Sequence, residues 1–343
     1  RLSLVGSEMC IRDSRSTVHD VARVAGVSRG TVSRVINGGY VSDSARTAIE
    51  DAIREVGYVP NTAAQNLVRQ RTQAIAFIVH EPHALFLEDP NIGAIMLGTN
   101  ETLSEADYQM VCLVVDSVRD TERVARYLNG GFVDGAVIVS ARAQDPITKA
   151  VMRLDLPVAY VGHPPDVDAA WVGVDNRGAA QAVTSRLLAT GRTRVGMIAA
   201  ALDRDSGTDR LAGFTDALGD DFDPDLVEEV PLYSYADGAA AMTRLLERAP
   251  DIDGVFAASD AVAAGAMWAL REAGRRVPDD VGVVGFDNSS WATRTTPLLS
   301  TVDQPAEGLG AAAAASVLAQ LRDDQRPREG IMLPTPVVWR DSA

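Results

Sequence analysis

Residues Thr17–Gly38 read TVHDVARVAGVSRGTVSRVING, and this stretch decides the fold of the N-terminal part of the chain. Apolar side chains recur at i, i+3, i+4 and i+7 in its first half, and a second apolar stripe follows in its second half. Between the two stripes, Gly26 can adopt the left-handed conformation of a turn, and Ser28 can cap the helix that follows. The stretch therefore predicts two short helices joined by a tight turn.

A third amphipathic helix follows at once. Apolar residues run at helical spacing from Ala45 to Val56, and Ser42 is the predicted N-cap. Pro60 ends the helix because the residue before a proline is disfavoured in helical conformation. Residues 15–60 are thus predicted to form a small all-α domain of the helix-turn-helix type.

The distribution of charge separates this small domain from the rest of the chain. The formal net charge is −15, which at first argues against nucleic acid. Residues 15–72, however, hold eight arginines against five acidic residues, whereas residues 73–343 carry a net charge of −18. A basic head on an acidic body indicates that only the head meets DNA.

Length and composition exclude several classes of protein. The 343 residues fit a small domain plus a large one, and the absence of a run of about 18 apolar residues excludes a membrane span. Two cysteines and no recognisable signal peptide favour the cytoplasm. Residues 1–14, which include SEMCIRDS at Ser7–Ser14, resemble translated sequencing-adapter sequence, and we expect them to be a non-native or disordered leader.

After Gln73 the pattern changes to alternating apolar strands and amphipathic helices, which predicts an α/β fold with parallel sheets. The number of strands fits two sheets better than one, and open sheets bind ligands at the carboxyl ends of their strands. The predicted strands are Ala74–Val79, Gln109–Val115, Gly135–Val139, Val158–Val161, Arg194–Ala199, Gly254–Ala258 and Val281–Phe286. The predicted helices are Ile92–Ala106, Arg177–Ala189, Arg210–Leu218, Asp237–Glu247 and Asp260–Ala273.

Thr17–Gly38 resembles the headpiece of the LacI/GalR family of repressors, and GYVPNTAAQNL at Gly57–Leu67 resembles the hinge of that family. The similarity continues through RLAGF (210–214), SDAVAAGAM (259–267) and VGVVGFDNSS (281–290). The resemblance implies a helix-turn-helix headpiece at 15–60, a hinge at 61–72 and a two-lobed α/β effector domain of the periplasmic-binding-protein-like type I at 73–343. The implied lobes are about 73–174 with 303–331, and about 175–302 with 332–343.

By this resemblance the helix that starts at Ser28 reads the major groove, with Arg29, Gly30 and Arg34 at the base-reading positions. An arginine can bond O6 and N7 of guanine in a bidentate fashion, whereas a glycine reads nothing and lets the helix lie closer to the bases. The alternative for both arginines is ordinary solvated helix charge. The other residues predicted to bind DNA are Thr17, Val18, Ser28, Thr31, Ser33 and Asn37, of which the polar ones suit phosphate contacts.

The resemblance also implies that the hinge folds on specific DNA and pairs with a dimer mate in the minor groove. Leu67 then wedges between base steps, and Ala64 allows close approach of the two hinge helices. Asn61 and Gln65 complete the predicted contacts, and Gln65 replaces a basic residue found in many members. The alternative for Leu67 is a buried contact with the body of the protein.

No catalytic arrangement is present in the sequence. The four histidines lack nucleophile–base spacing, and neither a G-x-S-x-G motif nor a Walker P-loop occurs. The pair His80 and His83 invites a metal site, but Pro82 between them blocks a regular helix and no third ligand is evident. We therefore expect no metal, no cofactor and no enzymatic activity.

Matching the family motif places the effector-binding residues at the strand ends. In the second lobe they are Arg210, Asp287, Ser259 where many members carry Asn, and the aromatic Tyr233. In the first lobe the loop after the first strand supplies His80, Glu81 and Phe86, and the loop after the third strand supplies Ser140 and Arg142. Asp260 is expected to be an N-cap. Asp175 and Asn176 have two open interpretations, as a helix cap or as a ligand contact.

Together these features predict a repressor that binds a palindromic DNA operator as a homodimer. A small molecule, expected to be a sugar, controls its DNA affinity from the cleft between the lobes. A solute-binding transport protein of the same fold is an alternative, but it predicts a signal peptide and no headpiece. A nucleotide-dependent enzyme is another, but it predicts G-x-G-x-x-G after the first strand, where residues 80–83 read HEPH.

Overall fold

The computed structural model describes residues 16–59, 71–142, 146–154, 156–164, 167–322 and 329–343. The chain divides into two compact units, Arg1–Thr72 and Gln73–Ala343. The leader at 1–14 and the hinge residues at 60–70 lie outside the described residues. Both units have their own buried apolar core.

Residues 16–59 form three helices: α1 (Val18–Ala25), α2 (Arg29–Ile36) and α3 (Asp43–Val56). The predicted turn is confirmed, since Gly26 adopts a φ of 65°, and both predicted serine caps accept hydrogen bonds from backbone N–H groups. The core between the helices consists of small and branched side chains that the apolar stripes supply: Val21, Ala22, Val32, Ile49 and Ala52.

The first lobe is built on a six-stranded parallel sheet with strand order β11-β5-β4-β3-β1-β2. Its strands are β1 (Ala74–Val79), β2 (Gln109–Val114), β3 (Gly135–Val139), β4 (Val158–Val161), β5 (Ala170–Val174) and β11 (Gly330–Leu333). Its helices are α4 (His83–Glu88), α5 (Pro90–Glu105), α6 (Val118–Asn129), α7 (Pro146–Arg153) and α12 (Ala306–Arg322).

The second lobe has a four-stranded parallel sheet with strand order β7-β6-β8-β9. Its strands are β6 (Val195–Ala200), β7 (Val227–Val230), β8 (Gly254–Ala257) and β9 (Gly282–Val284). Its helices are α8 (Asn176–Leu188), α9 (Asp205–Leu218), α10 (Tyr235–Arg248) and α11 (Asp260–Glu272). Two short strands, β10 (Thr301–Val302) and β12 (Val337–Val338), pair antiparallel beside it.

The C-terminal segment refines one approximate lobe boundary. The sequence places the last return to the second lobe after residue 331, but Met332 and Leu333 pair with Gly173 and Val174 in the first sheet. The reason is that β5, which the sequence did not predict as a strand, offers β11 a full parallel partner. The chain therefore returns to the second lobe after Leu333, before β12 pairs with β10.

Candidate functional sites

The solvent-facing side of α2 carries the residues predicted to read DNA. Ser28 caps the helix, and its hydroxyl accepts a hydrogen bond from the Thr31 backbone N–H over 3.1 Å. Val32 is fully buried against the other helices. The residues of α2 that are exposed are Arg29, Gly30, Ser33 and Arg34. The fold thus leaves two guanidinium groups and the glycine free to approach a partner.

Other predicted DNA contacts already have partners within the headpiece. Thr17 is exposed, but its hydroxyl donates to Asp20 Oδ2 over 2.8 Å and its N–H donates to the same oxygen over 3.0 Å. These backbone and side-chain hydrogen bonds lower the pKa of Asp20. The Asn37 amide donates to the Ser33 carbonyl over 2.9 Å, and Val18 and Thr31 are half-buried. Their DNA contacts remain predictions.

One exposed aromatic residue was missed by sequence reasoning. Tyr40, in the loop between α2 and α3, is 92% exposed, which is unusual for so large a side chain. The sequence does contain an indication of this exposed residue, because Tyr40 is an aromatic residue directly after Gly38-Gly39, in the loop that follows α2. The predicted hinge contacts Asn61, Ala64, Gln65 and Leu67 lie outside the described residues.

A cavity of ≈ 800 Å³, counted with its open mouth, lies between the carboxyl ends of the two parallel sheets. This is where the topology of open α/β sheets places ligands. Five of the predicted effector residues line it: Glu81, Ser140, Arg210, Tyr233 and Asp287. Polar lining residues that the sequence did not single out are Asp89, Asn91, Arg204, Asp205, Ser206 and Gln304.

Arg210 organises the floor of the cavity. It is 4% exposed, and its Nε donates to Asn176 Oδ1 over 2.9 Å. Its Nη1 donates to the Ala258 carbonyl over 2.6 Å, and its Nη2 donates to Gln304 Oε1 over 3.1 Å. Its guanidinium also lies 3.6 Å from the centre of the Phe286 ring. These contacts satisfy a buried charge that would otherwise be costly to desolvate.

Two carboxyl groups in the cavity have altered acidity, that of the buried Asp287 and that of the half-buried Asp89. Burial raises the pKa of Asp287 well above its usual value, and the nearby Arg210 opposes this rise. Asp287 also adopts a φ of 113°, a conformation that L-residues rarely adopt. Burial likewise raises the pKa of Asp89 to about 6. Asp89 caps α5 through a hydrogen bond from the Asn91 N–H over 2.9 Å.

Tyr233 lines the cavity as an aromatic wall, and its contact with an effector stays a prediction. Its hydroxyl lies 3.0 Å from Ser206 Oγ, and its ring lies 5.5 Å from the Arg210 guanidinium. A ring fixed in this way presents its face beside hydrogen-bonding groups, which suits a ligand with both C–H faces and hydroxyls. Burial raises the pKa of the Tyr233 phenol.

The remaining four predicted effector residues do not line this cavity. The carbonyl of His80 accepts from Arg142 Nη1 over 2.8 Å, and Arg142 also bonds Asp203 Oδ2 over 2.7 Å, so this arginine is engaged at the edge of the cleft. Phe86 packs against the core of the first lobe. Ser259 is turned into a helix cap. The effector contacts of these four remain predictions that the geometry does not support.

The start of α11 corrects the predicted cap. Ser259, not Asp260, is the N-cap, since its hydroxyl accepts from the Val262 N–H over 3.3 Å. Asp260 is fully buried and accepts from the Ser289 N–H over 2.7 Å and from Thr301 Oγ1 over 2.5 Å. Burial raises the pKa of Asp260 to about 7. The physical reason is that the Asp260 carboxylate is engaged by Ser289 and Thr301, whereas Ser259 has the extended backbone of an N-cap and its hydroxyl reaches the first turn of the helix.

At the start of α8 the cap interpretation holds for Asp175, whereas a ligand contact by Asn176 stays a prediction. Asp175 is the N-cap and accepts from the Gly178 N–H over 2.8 Å. Asn176 is buried, lines the cavity and accepts from Arg210. Among the described residues, no group of three or more His, Cys, Asp or Glu could hold a metal ion, and no helix is long and apolar enough to cross a membrane.

The headpiece and the cavity have counterparts in known proteins. Residues 17–61 match the model of bacterial regulatory proteins of the lacI family, and residues 184–343 match the periplasmic binding protein-like domain. The HTH-type transcriptional regulator CelR of Thermobifida fusca is 39% identical over 96% of this chain and 99% of its own length. This chain belongs to the LacI family. It is a DNA-binding transcriptional regulator rather than an enzyme.

Further relatives support the same family and fold. The ribose operon repressor of Halalkalibacterium halodurans is 29% identical over 95% of this chain and 97% of its own length. A structure of a CelR–cellobiose complex matches with a TM-score of 0.77 at 38% identity, covering 96% of this chain and all of that one. A lac repressor dimer bound to operator and an anti-inducer matches with a TM-score of 0.86 at 24% identity over 96% and 99% of the two chains, and shows the shared fold.

Proposed function

We propose that this regulator is a cytoplasmic repressor that binds a palindromic operator as a homodimer, and that an uncharged sugar in the cleft controls its operator affinity. We propose a sugar because four polar side chains surround one cavity beside the ring of Tyr233. They are Arg210, Asn176, Gln304 and Asp287. Sugar hydroxyls need donors and acceptors at several angles, and the C–H face of a sugar ring packs on an aromatic face.

The charge of the cavity favours an uncharged ligand. Four acidic side chains line it, whereas the lining cations are Arg204 and Arg210. Both arginines already donate hydrogen bonds to side chains of the protein. Neither guanidinium therefore presents a free pair of N–H donors to a phosphate or a carboxylate. Burial already disfavours the ionised forms of Asp89 and Asp287, and the negative charge of a sugar phosphate or a sugar acid beside them would disfavour those forms further. The CelR relative bound to cellobiose, an uncharged disaccharide, agrees with this choice.

The headpiece supports the choice of DNA readers. Arg29 and Arg34 are exposed on α2, and the Ser28 cap fixes where that helix begins. The N-terminal residues of a recognition helix contact base edges in the major groove. Because one headpiece reads one half-site of a palindrome, the other half-site is read by the headpiece of a second, two-fold related protomer. The cytoplasmic location follows from action on DNA.

Exposed apolar side chains on the body support dimerisation there. Leu97 on α5 is 59% exposed and Trp268 on α11 is 42% exposed, although both sit on helices whose other faces are buried. Trp268 lies in a groove with Met267, Trp291 and Pro297. Aromatic and apolar residues on such surfaces are typical of subunit interfaces. Trp268→Glu should therefore convert a dimer into monomers in sedimentation experiments, whereas an unchanged mass would exclude this face.

Gel-shift titration on the DNA upstream of the gene for this chain tests the proposal. The probes are cellobiose, ribose and glucose, with glucose 6-phosphate and gluconate as charged counterparts. We expect an uncharged sugar to change the operator affinity, and the charged counterparts to have no effect. A shift that no sugar changes would overturn the sugar control, and the absence of any specific shift would overturn the repressor itself.

A further inference from the structure

Four charged side chains form a closed ring that joins the two lobes at the edge of the effector cavity. Glu81 follows β1 and Arg142 follows β3 in the first lobe, whereas Asp203 and Arg204 follow β6 in the second lobe. We call these four residues the charge ring. Going round the ring the sign of the charge alternates, so every neighbouring pair attracts.

Each edge of the ring is a direct contact. Arg204 donates from both terminal nitrogens to the two carboxylate oxygens of Glu81, with Nη2 and Oε2 2.9 Å apart. Arg142 Nε lies 2.7 Å from Asp203 Oδ2. The other two edges are longer, at 3.5 Å from Arg142 Nη2 to Glu81 Oε2 and 3.5 Å from Arg204 Nε to Asp203 Oδ1. The two short edges cross the cleft between the lobes.

Burial divides the ring into an inner and an outer half. The side chains of Glu81 and Arg204 are 2% and 5% exposed, whereas those of Arg142 and Asp203 are 23% and 50% exposed. The inner pair lines the cavity, and the outer pair does not. The outer pair can therefore influence a ligand only through the position of the lobes or through the inner pair.

Opening the cleft would pull the inner pair apart. A guanidinium and a carboxylate that lose each other in a buried place are strongly destabilised unless water reaches both. The ring also fixes the relative position of the loops after β1, β3 and β6, because the His80 carbonyl holds Arg142 from the first lobe. A network of this kind favours one arrangement of two packed bodies over the alternatives.

We infer that the charge ring is an interlobe latch: it sets the equilibrium between closed and open lobes and thereby the affinity of the cleft for its effector. A ligand that needs the closed lobes binds with an apparent affinity reduced by the fraction of closed molecules. Other bridges assist the latch, since the His163 N–H donates to Asp205 Oδ2 over 2.5 Å and the Tyr235 N–H donates to Glu88 Oε1 over 3.4 Å. Loss of the latch alone therefore opens the lobes in part of the population.

The outer half is the place to test the latch, because Glu81→Gln would leave Arg204 buried without a carboxylate and can unfold the lobe. The test variant is Arg142→Gln with Asp203→Asn. The matched control is Arg177→Gln with Asp216→Asn, which removes an ion pair of 2.6 Å between α8 and α9 inside the second lobe. Both variants remove one arginine and one aspartate from solvent-accessible positions.

The distance between the lobes is measured in the full chain by double electron–electron resonance. Spin labels are attached at Asn129→Cys on α6 and Glu247→Cys on α10, both exposed, with Cys10→Ser and Cys112→Ser, and labelled chains are diluted with unlabelled ones. We expect a single distance for the unaltered ring and for the control, and an added longer distance for Arg142→Gln/Asp203→Asn. The same distribution in all three proteins would overturn the latch.

The link from the latch to affinity rests on the proposed sugar control, and calorimetry with cellobiose tests it. We expect Arg142→Gln and Asp203→Asn each to weaken binding by about three- to tenfold, and the double variant to weaken it by less than the product of the two, because the two residues share a contact. Effects that multiply in the double variant would contradict this. Failure of cellobiose to bind the unaltered chain would count against the proposed effector alone. The distances between the lobes would still test the latch.

Discussion

Arg210 Nη1 lies 3.4 Å from Asp287 Oδ1, and both side chains are buried at the floor of the effector cavity. The two residues are separated by 77 positions in the chain and come from α9 and from the loop after β9. The pair therefore ties the binding site to the packing of the second lobe. A change that removes Asp287 leaves one N–H of the buried Arg210 guanidinium without its acceptor.

The pair gives a prediction for stability. Asp287→Ala should lower the free energy of unfolding by about 1–3 kcal/mol, because it leaves one N–H of the buried Arg210 Nη1 without its acceptor. Urea denaturation measures the change. Asp216→Ala, which breaks the exposed pair with Arg177, is the control and should cost no more than about 1 kcal/mol. Equal losses in the two variants would contradict the assigned difference in burial.

The raised pKa of Asp89 leads to a prediction of how the free energy of unfolding depends on pH. Its pKa in the folded chain, about 6, lies above the ordinary 3.8, so its protonated form is favoured by folding. The stability it contributes is complete below about pH 4 and is lost as the pH rises through 6. Asn can cap a helix as well as Asp, so Asp89→Asn should keep the α5 cap and remove this loss.

The expected result is a free energy of unfolding for Asp89→Asn that matches the unaltered chain near pH 4 and exceeds it at pH 7.5. The size is on the order of 1–3 kcal/mol, from the free energy that corresponds to a shift of about two pKa units. Chemical denaturation at several pH values measures it. A difference between the two proteins that stays constant with pH would contradict the desolvation of the Asp89 carboxylate as its cause.

We expect a substitution of Gly30 to have opposite effects on folding stability and on DNA binding. A Cβ at this position would meet only Ser28 Oγ, at 3.7 Å, so Gly30→Ala fits the headpiece and should stabilise α2 by about 0.5 kcal/mol. If the helix lies close to the bases because the glycine has no side chain, the same change should weaken operator binding. Thermal unfolding and fluorescence anisotropy measure the two effects, and tighter operator binding would contradict the close approach.

We expect removal of the Arg34 side chain to change the sequence specificity of DNA binding. Arg34→Ala should relax the preference at one base pair, at a cost of about 1–3 kcal/mol for the preferred base. Selection from a randomised operator library measures this. Arg54→Ala, on α3 beside Asp51, removes the same charge away from the recognition helix and serves as the control. Uniform weakening on all sequences in the Arg34 variant would assign that residue to a phosphate.

The elements that the sequence predicts well are those decided by neighbouring residues. The turn at Gly26 and the caps at Ser28 and Ser42 depend on local backbone preferences, and all three are confirmed. Strands β3 and β4 agree with the predicted limits because they are continuous apolar runs bounded by polar or turn residues. In these elements local chemistry and tertiary packing favour the same structure.

Other features depend on partners far away in the chain. Strands β5 and β7 are not predicted from the sequence because Gly173 interrupts the apolar run of β5 and two consecutive glutamates interrupt that of β7. Both segments are held as strands by pairing with their neighbours in the sheets. The contact between Glu81 and Arg204 joins residues 123 positions apart. Sequence matching correctly places Glu81 at the cavity, but no local pattern indicates that its carboxylate is occupied by an arginine of the other lobe.

The measurement that tests the central claim most directly is an operator titration by fluorescence anisotropy at increasing cellobiose, for the unaltered chain and for Tyr233→Ala. Coupling between cleft and headpiece predicts that cellobiose changes the operator affinity of the unaltered chain by about five- to 150-fold. Loss of the aromatic wall predicts that Tyr233→Ala needs about tenfold more cellobiose for half of that change. An identical response of both proteins to cellobiose would contradict the claim that a ligand in this cleft controls binding to DNA.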